Sequence, residues 1–153
     1  MSRTVQVRTG VELEPEPAVA LWRDIRRWPG FVEGLQRIED QGADWPREGA
    51  KVVWVSGPGG RGTVTEKVIS STPTSFSTRV FEDRLRGTQT AAFEPREGGG
   101  SIIALSLEYE LAGDNPFKAI TDLIFIRRAL RDSLGRTARR FAVEAVEHLQ
   151  LSG

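Results

Sequence analysis

The 153-residue chain has no cysteine and only one histidine, one tyrosine and one methionine. Without cysteine there is no disulfide, no thiolate metal site and no cysteine nucleophile. The single histidine, His148, leaves a histidine-containing triad or a multi-histidine metal centre without its usual partners, so neither a metal nor a cofactor is expected. No run approaches the roughly 18 apolar residues of a membrane span, and no basic and apolar leader opens the chain. Charge is balanced at 21 basic and 21 acidic residues, so no global field favours nucleic acid or an anionic membrane. These absences together predict a soluble, cytoplasmic protein.

What is present is organised around its end. From Asn115, suited to capping, and Pro116, suited to a first helical position, one long amphipathic helix is expected to run to about Leu149. Apolar residues recur at Ile120, Leu123, Ile124, Ile126, Leu130, Leu134, Phe141, Ala145 and Leu149, close to the helical period. Arg127, Arg128, Arg131, Arg139 and Arg140 supply its polar surface, and His148 falls in its last turn. Such a helix is stable only if its stripe is covered, and its crowded Ile120–Ile126 start suggests embedding, a cavity wall or a second protomer.

Strand patterns supply the cover. Thr4–Leu13 alternates, Pro15 and Pro17 stop it, and Ala18–Ile25 has Val19, Leu21, Trp22 and Ile25 at helical spacing. Trp28-Pro29-Gly30 reads as a break before a second short helix carrying Phe31 and Val32, and Leu35–Gln41 follows as a strand. Trp45, in a polar loop, is expected as a lid over the core edge. Further strands are expected at Ala50–Ser56, Arg61–Ser71, Ser75–Glu82, Thr88–Glu94 and Ser101–Leu111, joined by short turns. In the last of these, Ile103, Leu105, Leu107, Tyr109 and Leu111 make one apolar face, with Ser106, Glu108 and Glu110 opposite. Gly57-Pro58-Gly59-Gly60 is a turn and not a phosphate loop, because the lysine and hydroxyl ending is absent and no helix follows.

Strand, two short helices, sequential hairpins and a long final helix make an α+β chain. The order resembles the START-like or Bet v 1-like helix-grip superfamily (SRPBCC), and within it the polyketide cyclase/dehydrase-like group. The resemblance rests on Val19-Ala20-Leu21-Trp22-Arg23-Asp24-Ile25 followed by Trp28-Pro29-Gly30-Phe31, on the glycine-rich turn with Gly62-Thr63-Val64-Thr65-Glu66-Lys67-Val68, and on the final helix. It implies a single domain over residues 1–153, with a curved seven-stranded antiparallel sheet wrapped around the carboxy-terminal helix. It also implies a cavity for lipids, sterols, polyketide intermediates or other hydrophobic ligands, with cyclisation or dehydration in some members and partner-protein binding in others.

The candidate lining of such a cavity is Trp54, Phe76, Phe93, Ile103, Leu105, Leu107, Tyr109, Leu123, Leu130, Leu134 and Phe141, all of which would equally serve as ordinary core. Tyr109 interrupts the apolar face with a hydroxyl that must find a partner if buried. Arg79 either faces solvent or points inward to bind an oxygen of the ligand. Glu66, Glu82, Glu108 and Glu110 are expected on the outer face in cross-strand ion pairs. Glu66 or Glu82 turned inward would have a raised pKa and acid–base capacity. Trp28 and Phe31 are candidates for a gate at the cavity mouth. Three functions follow as expectations: binding of a hydrophobic small molecule, cyclisation or dehydration of a poly-β-carbonyl substrate, and a non-enzymatic interaction or regulatory role that includes a homodimer.

Overall fold

The computed structural model describes residues 2–111 and 119–152, without the side chains of residues 119–123. The elements in order are β1 (Arg3–Val11), α1 (Pro15–Arg23), a 3-10 turn (Ile25–Arg27), α2 (Trp28–Phe31), β2 (Leu35–Gln41), β3 (Lys51–Ser56), β4 (Thr63–Ser71), β5 (Ser75–Phe81), β6 (Leu85–Pro95), β7 (Ser101–Leu111) and α3 (Ala119–Ser152). The helix start expected at Asn115 and Pro116, and the side chain of Leu123, lie outside the described residues.

All seven strands join one antiparallel sheet in the order β1-β7-β6-β5-β4-β3-β2. From β2 onward each strand pairs with its successor, the arrangement that short hairpin connections dictate. β1 is the exception, since it pairs with β7 at the far edge from β2. The chain between β1 and β2 must therefore cross the sheet, and it does so as α1, the 3-10 turn and α2. Register shifts within the β2/β3 and β4/β5 pairs mark bulges, which bend a strand and sharpen its twist. At Gly87, on β6 opposite Tyr109, the strands approach so closely that an added Cβ would meet the Glu108 carbonyl oxygen at 2.2 Å.

The alternation along β7 is realised: Ile103, Leu105, Leu107 and Tyr109 are buried, while Glu108 and Glu110 are exposed. α3 spans 34 residues, about 50 Å at ~1.5 Å per residue, and buries Leu134, Ala138, Phe141 and Ala145 against the rest of the fold. This is the α+β helix-grip arrangement of an open antiparallel sheet, two short helices after the first strand and a long closing helix.

The Trp28-Pro29-Gly30 segment departs from expectation. It is not a break but the body of α2, with proline in the first turn, where a missing N–H costs no helical hydrogen bond. The gate assigned to Trp28 and Phe31 is likewise corrected, because both are buried core residues. The Trp28 indole Nε1 donates to the Trp22 carbonyl at 2.8 Å, and Phe31 stacks with Phe141 at a centroid distance of 5.0 Å. Trp45 does cover the core edge: it is half-buried, its Nε1 donates to the Arg23 carbonyl at 2.9 Å, and its ring meets Trp28 and Phe76.

α2 is also held by polar contacts to α3. The Glu33 N–H donates to Thr137 Oγ1 at 2.9 Å, Arg136 pairs with Glu33 at 2.9 Å, and Arg27 pairs with Glu144 at 2.8 Å. Arg140, expected only as polar surface, also reaches Glu33 at 3.5 Å and the Pro29 carbonyl at 3.3 Å, and so helps fix the short helix onto the long one.

Candidate functional site

The inner face of the sheet is apolar except at a few positions on β4, β5 and β6. On β4, Val64, Glu66 and Val68 share one face at period two, so the pleat that buries the valines also buries the glutamate. On β5 the same rule places Thr78 between buried Phe76 and Val80. These two inward polar residues meet: Thr78 Oγ1 donates to Glu66 Oε1 at 2.7 Å, and Trp54 Nε1 donates to Glu66 Oε2 at 2.8 Å. Burial pushes the Glu66 carboxyl above the ordinary glutamate range, an effect the two hydrogen bonds and the Arg61 charge only partly oppose.

Arg61 comes from the turn between β3 and β4. Its guanidinium carbon stands 5.5 Å from the centroid of the Trp54 ring, and its Nε donates to Glu82 Oε2. Glu82 is drawn in with it, its side chain only 5% exposed against 23% for Arg61. Arg61 Nη2 is buried and has no hydrogen-bond partner among the described residues. Arg61, Glu66, Trp54 and Gln89 face Leu134 and Thr137 of α3 across a cavity of about 20 Å³, room for a single water-sized group.

Tyr109 projects from β7 into the same layer, 1% exposed, and its Oη is the second buried side-chain atom without a partner among the described residues. Its strand register, opposite Gly87 and two residues from the Leu85–Leu111 pair, places it at the end of the sheet where Glu82 and Arg61 lie. The two unpartnered donors thus occupy one end of the sheet–helix layer.

The other candidates separate into two groups. Trp54 and Leu134 line the cavity, and Leu130 is half-buried against the core. Ile103, Leu105 and Leu107 are buried along β7, and Phe76 packs beneath Trp45. Phe93 and Phe141 join Trp22 in tight ring packing, with centroids 5.2–6.5 Å apart.

Arg79 is a correction. It is exposed on the outer face, with Nη1 3.4 Å from Thr88 Oγ1, since it shares the parity of Ser77 and Phe81 rather than that of Phe76, Thr78 and Val80. Glu66 and Glu82 are corrected in the opposite sense, from the outer face to buried positions, while Glu110 keeps its expected outer ion pair with Arg86 at 3.8 Å. Arg61, Thr78 and Gln89 were not anticipated. For Thr78 and Gln89 the signal was strand parity alone, and for Arg61, outside any strand, the sequence carries none. His148 is half-buried near the end of α3.

A roomier hollow of about 320 Å³ lies outside this layer, open to solvent between the end of α1 and Trp45. No described helix is long and apolar enough to cross a membrane.

Among solved structures, the Zhui aromatase/cyclase from Streptomyces sp. R1128 aligns over 100% of this chain and 99% of its own, with a TM-score of 0.80 at 11% identity. A START superfamily protein from Mycobacterium smegmatis aligns over 94% and 97% of the two chains, with a TM-score of 0.72 at 12% identity. Norcoclaurine synthase from Thalictrum flavum aligns over 97% and 96%, with a TM-score of 0.72 at 15% identity. At these identities the likeness is one of fold. No curated protein matches the sequence. The family model described as polyketide cyclase / dehydrase and lipid transport matches residues 2–144, and the chain belongs to that family.

Proposed function

We propose that this protein binds a hydrophobic small molecule, lipid-like, aromatic or polyketide-like, between the sheet and α3. The observation that carries this reading is the pair of buried donors, Arg61 Nη2 and Tyr109 Oη, left without partners among the described residues in a layer that is mostly apolar. Buried polar groups in native proteins nearly always find a partner, and two that do not, at one end of one layer, mark where a ligand oxygen would satisfy them. The driving force is removal of ligand apolar surface from water, worth about 25 cal/mol per Å², with the polar contacts fixing orientation.

The closed cavity accepts only one small group, so the ligand body enters by parting the amino-terminal half of α3 from the sheet. That half is the less anchored one: Ile124 and Phe125 are 63% and 65% exposed, and Ile126 and Leu130 are only half-buried. Delipidated protein titrated calorimetrically with hydrophobic ligands, in parallel with native mass spectrometry, should show saturable 1:1 binding. Uptake that never saturates, or that is unchanged in a Tyr109→Phe, Arg61→Gln double variant, would remove the site.

A second reading, cyclisation or dehydration of a poly-β-carbonyl substrate, is favoured by one observation. Glu66 is a buried carboxyl with its pKa raised toward the range useful for proton transfer, and it faces the cavity beside a guanidinium. Turnover of such a substrate, lost in Glu66→Gln while binding persists, is the result this reading requires.

A further inference from the structure

We propose that Glu82, acting through Arg61, makes the site selective for charge, so that it accepts apolar ligands bearing an uncharged oxygen acceptor and rejects carboxylates. The inference rests on the binding reading above and adds to it a specificity-determining residue. Among the described residues Arg61 is the only cationic side chain that lines the cavity, and the Glu82 carboxylate already meets its charge through Nε. Of the Arg61 donors that Glu82 leaves open, Nη2 is the one that is buried and unpartnered among the described residues, a directional donor whose charge is already met.

The rest of the lining adds no cation. Glu66 faces the same cavity and accepts from Trp54 and Thr78, and Glu33, also at the rim, is held by Arg136 and Arg140. A ligand carboxylate would bring a further negative charge into a space lined by the buried Glu66 carboxyl, the half-buried Glu33 and one committed guanidinium. Unpaired charge in such a setting is costly. A carbonyl oxygen accepts the same hydrogen bond and adds no charge. It also matches the space, since a cavity of about 20 Å³ admits one oxygen-sized group and no more, displacing at most one water.

Glu82 touches neither cavity nor ligand in this scheme. It is a positioning residue, which aims Nη2 by holding Nε and cancels the charge that would otherwise attract an anion. Removing its carboxylate while keeping its shape should therefore move selectivity toward the anion rather than merely weaken binding.

The test uses three probes with the same ring system: 2-acetonaphthone, 2-naphthoate and 2-ethylnaphthalene, titrated at neutral pH. The wild-type protein is expected to bind the ketone roughly tenfold more tightly than either of the others, the worth of one hydrogen bond to a charged donor. Glu82→Gln is expected to shift the naphthoate-to-ketone affinity ratio roughly tenfold or more toward naphthoate, as the freed guanidinium charge becomes available.

A wild-type preference for naphthoate, or a ratio unmoved by Glu82→Gln, overturns the inference while leaving ligand binding intact. Failure of all three probes to saturate removes the binding reading and this inference with it. Should Glu82→Gln fold poorly around an unpaired Arg61, the R61Q/E82Q variant carries the same test. Its ketone preference over 2-ethylnaphthalene should fall, and a preference that stays at the wild-type level there overturns the assignment.

Discussion

The two ends of the layer between sheet and closing helix are built on opposite rules. At one end Trp22, Phe31, Phe93 and Phe141 interlock, with ring centroids 5.0–6.5 Å apart, the nearby Trp28 indole is satisfied by a backbone carbonyl, and Trp22 and Trp28 reach from this end to line the cavity. At the other, Glu66, Arg61 and Tyr109 bring polar atoms into the interior, and two of those atoms stay unpartnered among the described residues. An aromatic cluster stabilises by area and dispersion and leaves nothing to satisfy. A buried donor without an acceptor is a cost the fold carries unless something else supplies the acceptor. The helix is anchored at the first end so that the second can remain incomplete.

The largest effect that would break this comparison is at the packed end. Phe141→Ala should destabilise the protein by about 3–5 kcal/mol, the range for deleting a buried ring, in urea denaturation. The ketone preference should be unchanged in the folded fraction. A loss below about 1 kcal/mol would mean that the aromatic end is not the anchor.

Next is the pH dependence contributed by Glu66. Its carboxyl, raised above its unfolded value by burial, keeps its proton in the folded state over a range where the unfolded chain has already lost it. The folded state then binds more protons, so this group's contribution to stability is greatest below the ordinary glutamate pKa of about 4.3 and is lost as pH rises through the folded value. Arg61 and Glu33, which line the same cavity, are present in both states of the comparison. Glu66→Gln keeps both hydrogen bonds, since the Thr78 hydroxyl can turn to accept, and it cannot ionise. Its stability relative to wild type should therefore improve from pH 4 to pH 8 in parallel urea titrations, and a flat difference would place the carboxyl in an ordinary environment.

Tyr109→Phe should have a smaller effect and the unusual sign. Deleting a hydroxyl that has no partner among the described residues relieves its desolvation cost, so stability should hold or rise by about 1 kcal/mol while affinity for the ketone falls. A clear loss of stability would show that the hydroxyl has a partner in the folded protein. Smallest of all is Arg79→Ala, on the outer face, expected within about 0.5 kcal/mol in stability and silent in ligand titrations.

The strand pattern shows how much of this was readable in advance. β7 was legible to the residue because eleven alternating positions leave one register in which the apolar set is buried. The same parity, applied to Val64-Thr65-Glu66-Lys67-Val68, puts Glu66 inside with the valines, and applied to Phe76–Val80 it puts Thr78 inside and Arg79 outside. Charge type argued for Glu66 on the surface and allowed Arg79 within, and geometry overrode it at both positions. A strand has only two faces, and a residue cannot leave the one its neighbours require. Trp28-Pro29-Gly30 misled for a different reason: glycine and proline punctuate chains, yet a proline in the first turn of a helix costs nothing.

Period two in the strands, the helical period after residue 119 and the spacing of turns determined by themselves that this chain is an antiparallel sheet closed by one long helix, because these patterns are local and follow from backbone geometry. On β4, β5 and β7 they also determined which side chains face inward, whereas the bulged β2 keeps no such alternation. Only the tertiary structure decided that Arg61, from a glycine-rich turn, lies over Trp54 and takes Glu82 as its partner. It alone decided that Phe93 packs against Phe141, and that Tyr109 is buried with nothing to bond among the described residues. These are relations between residues far apart in the chain, and whether a donor is met or left open depends on which acceptors folding brings within about 3 Å.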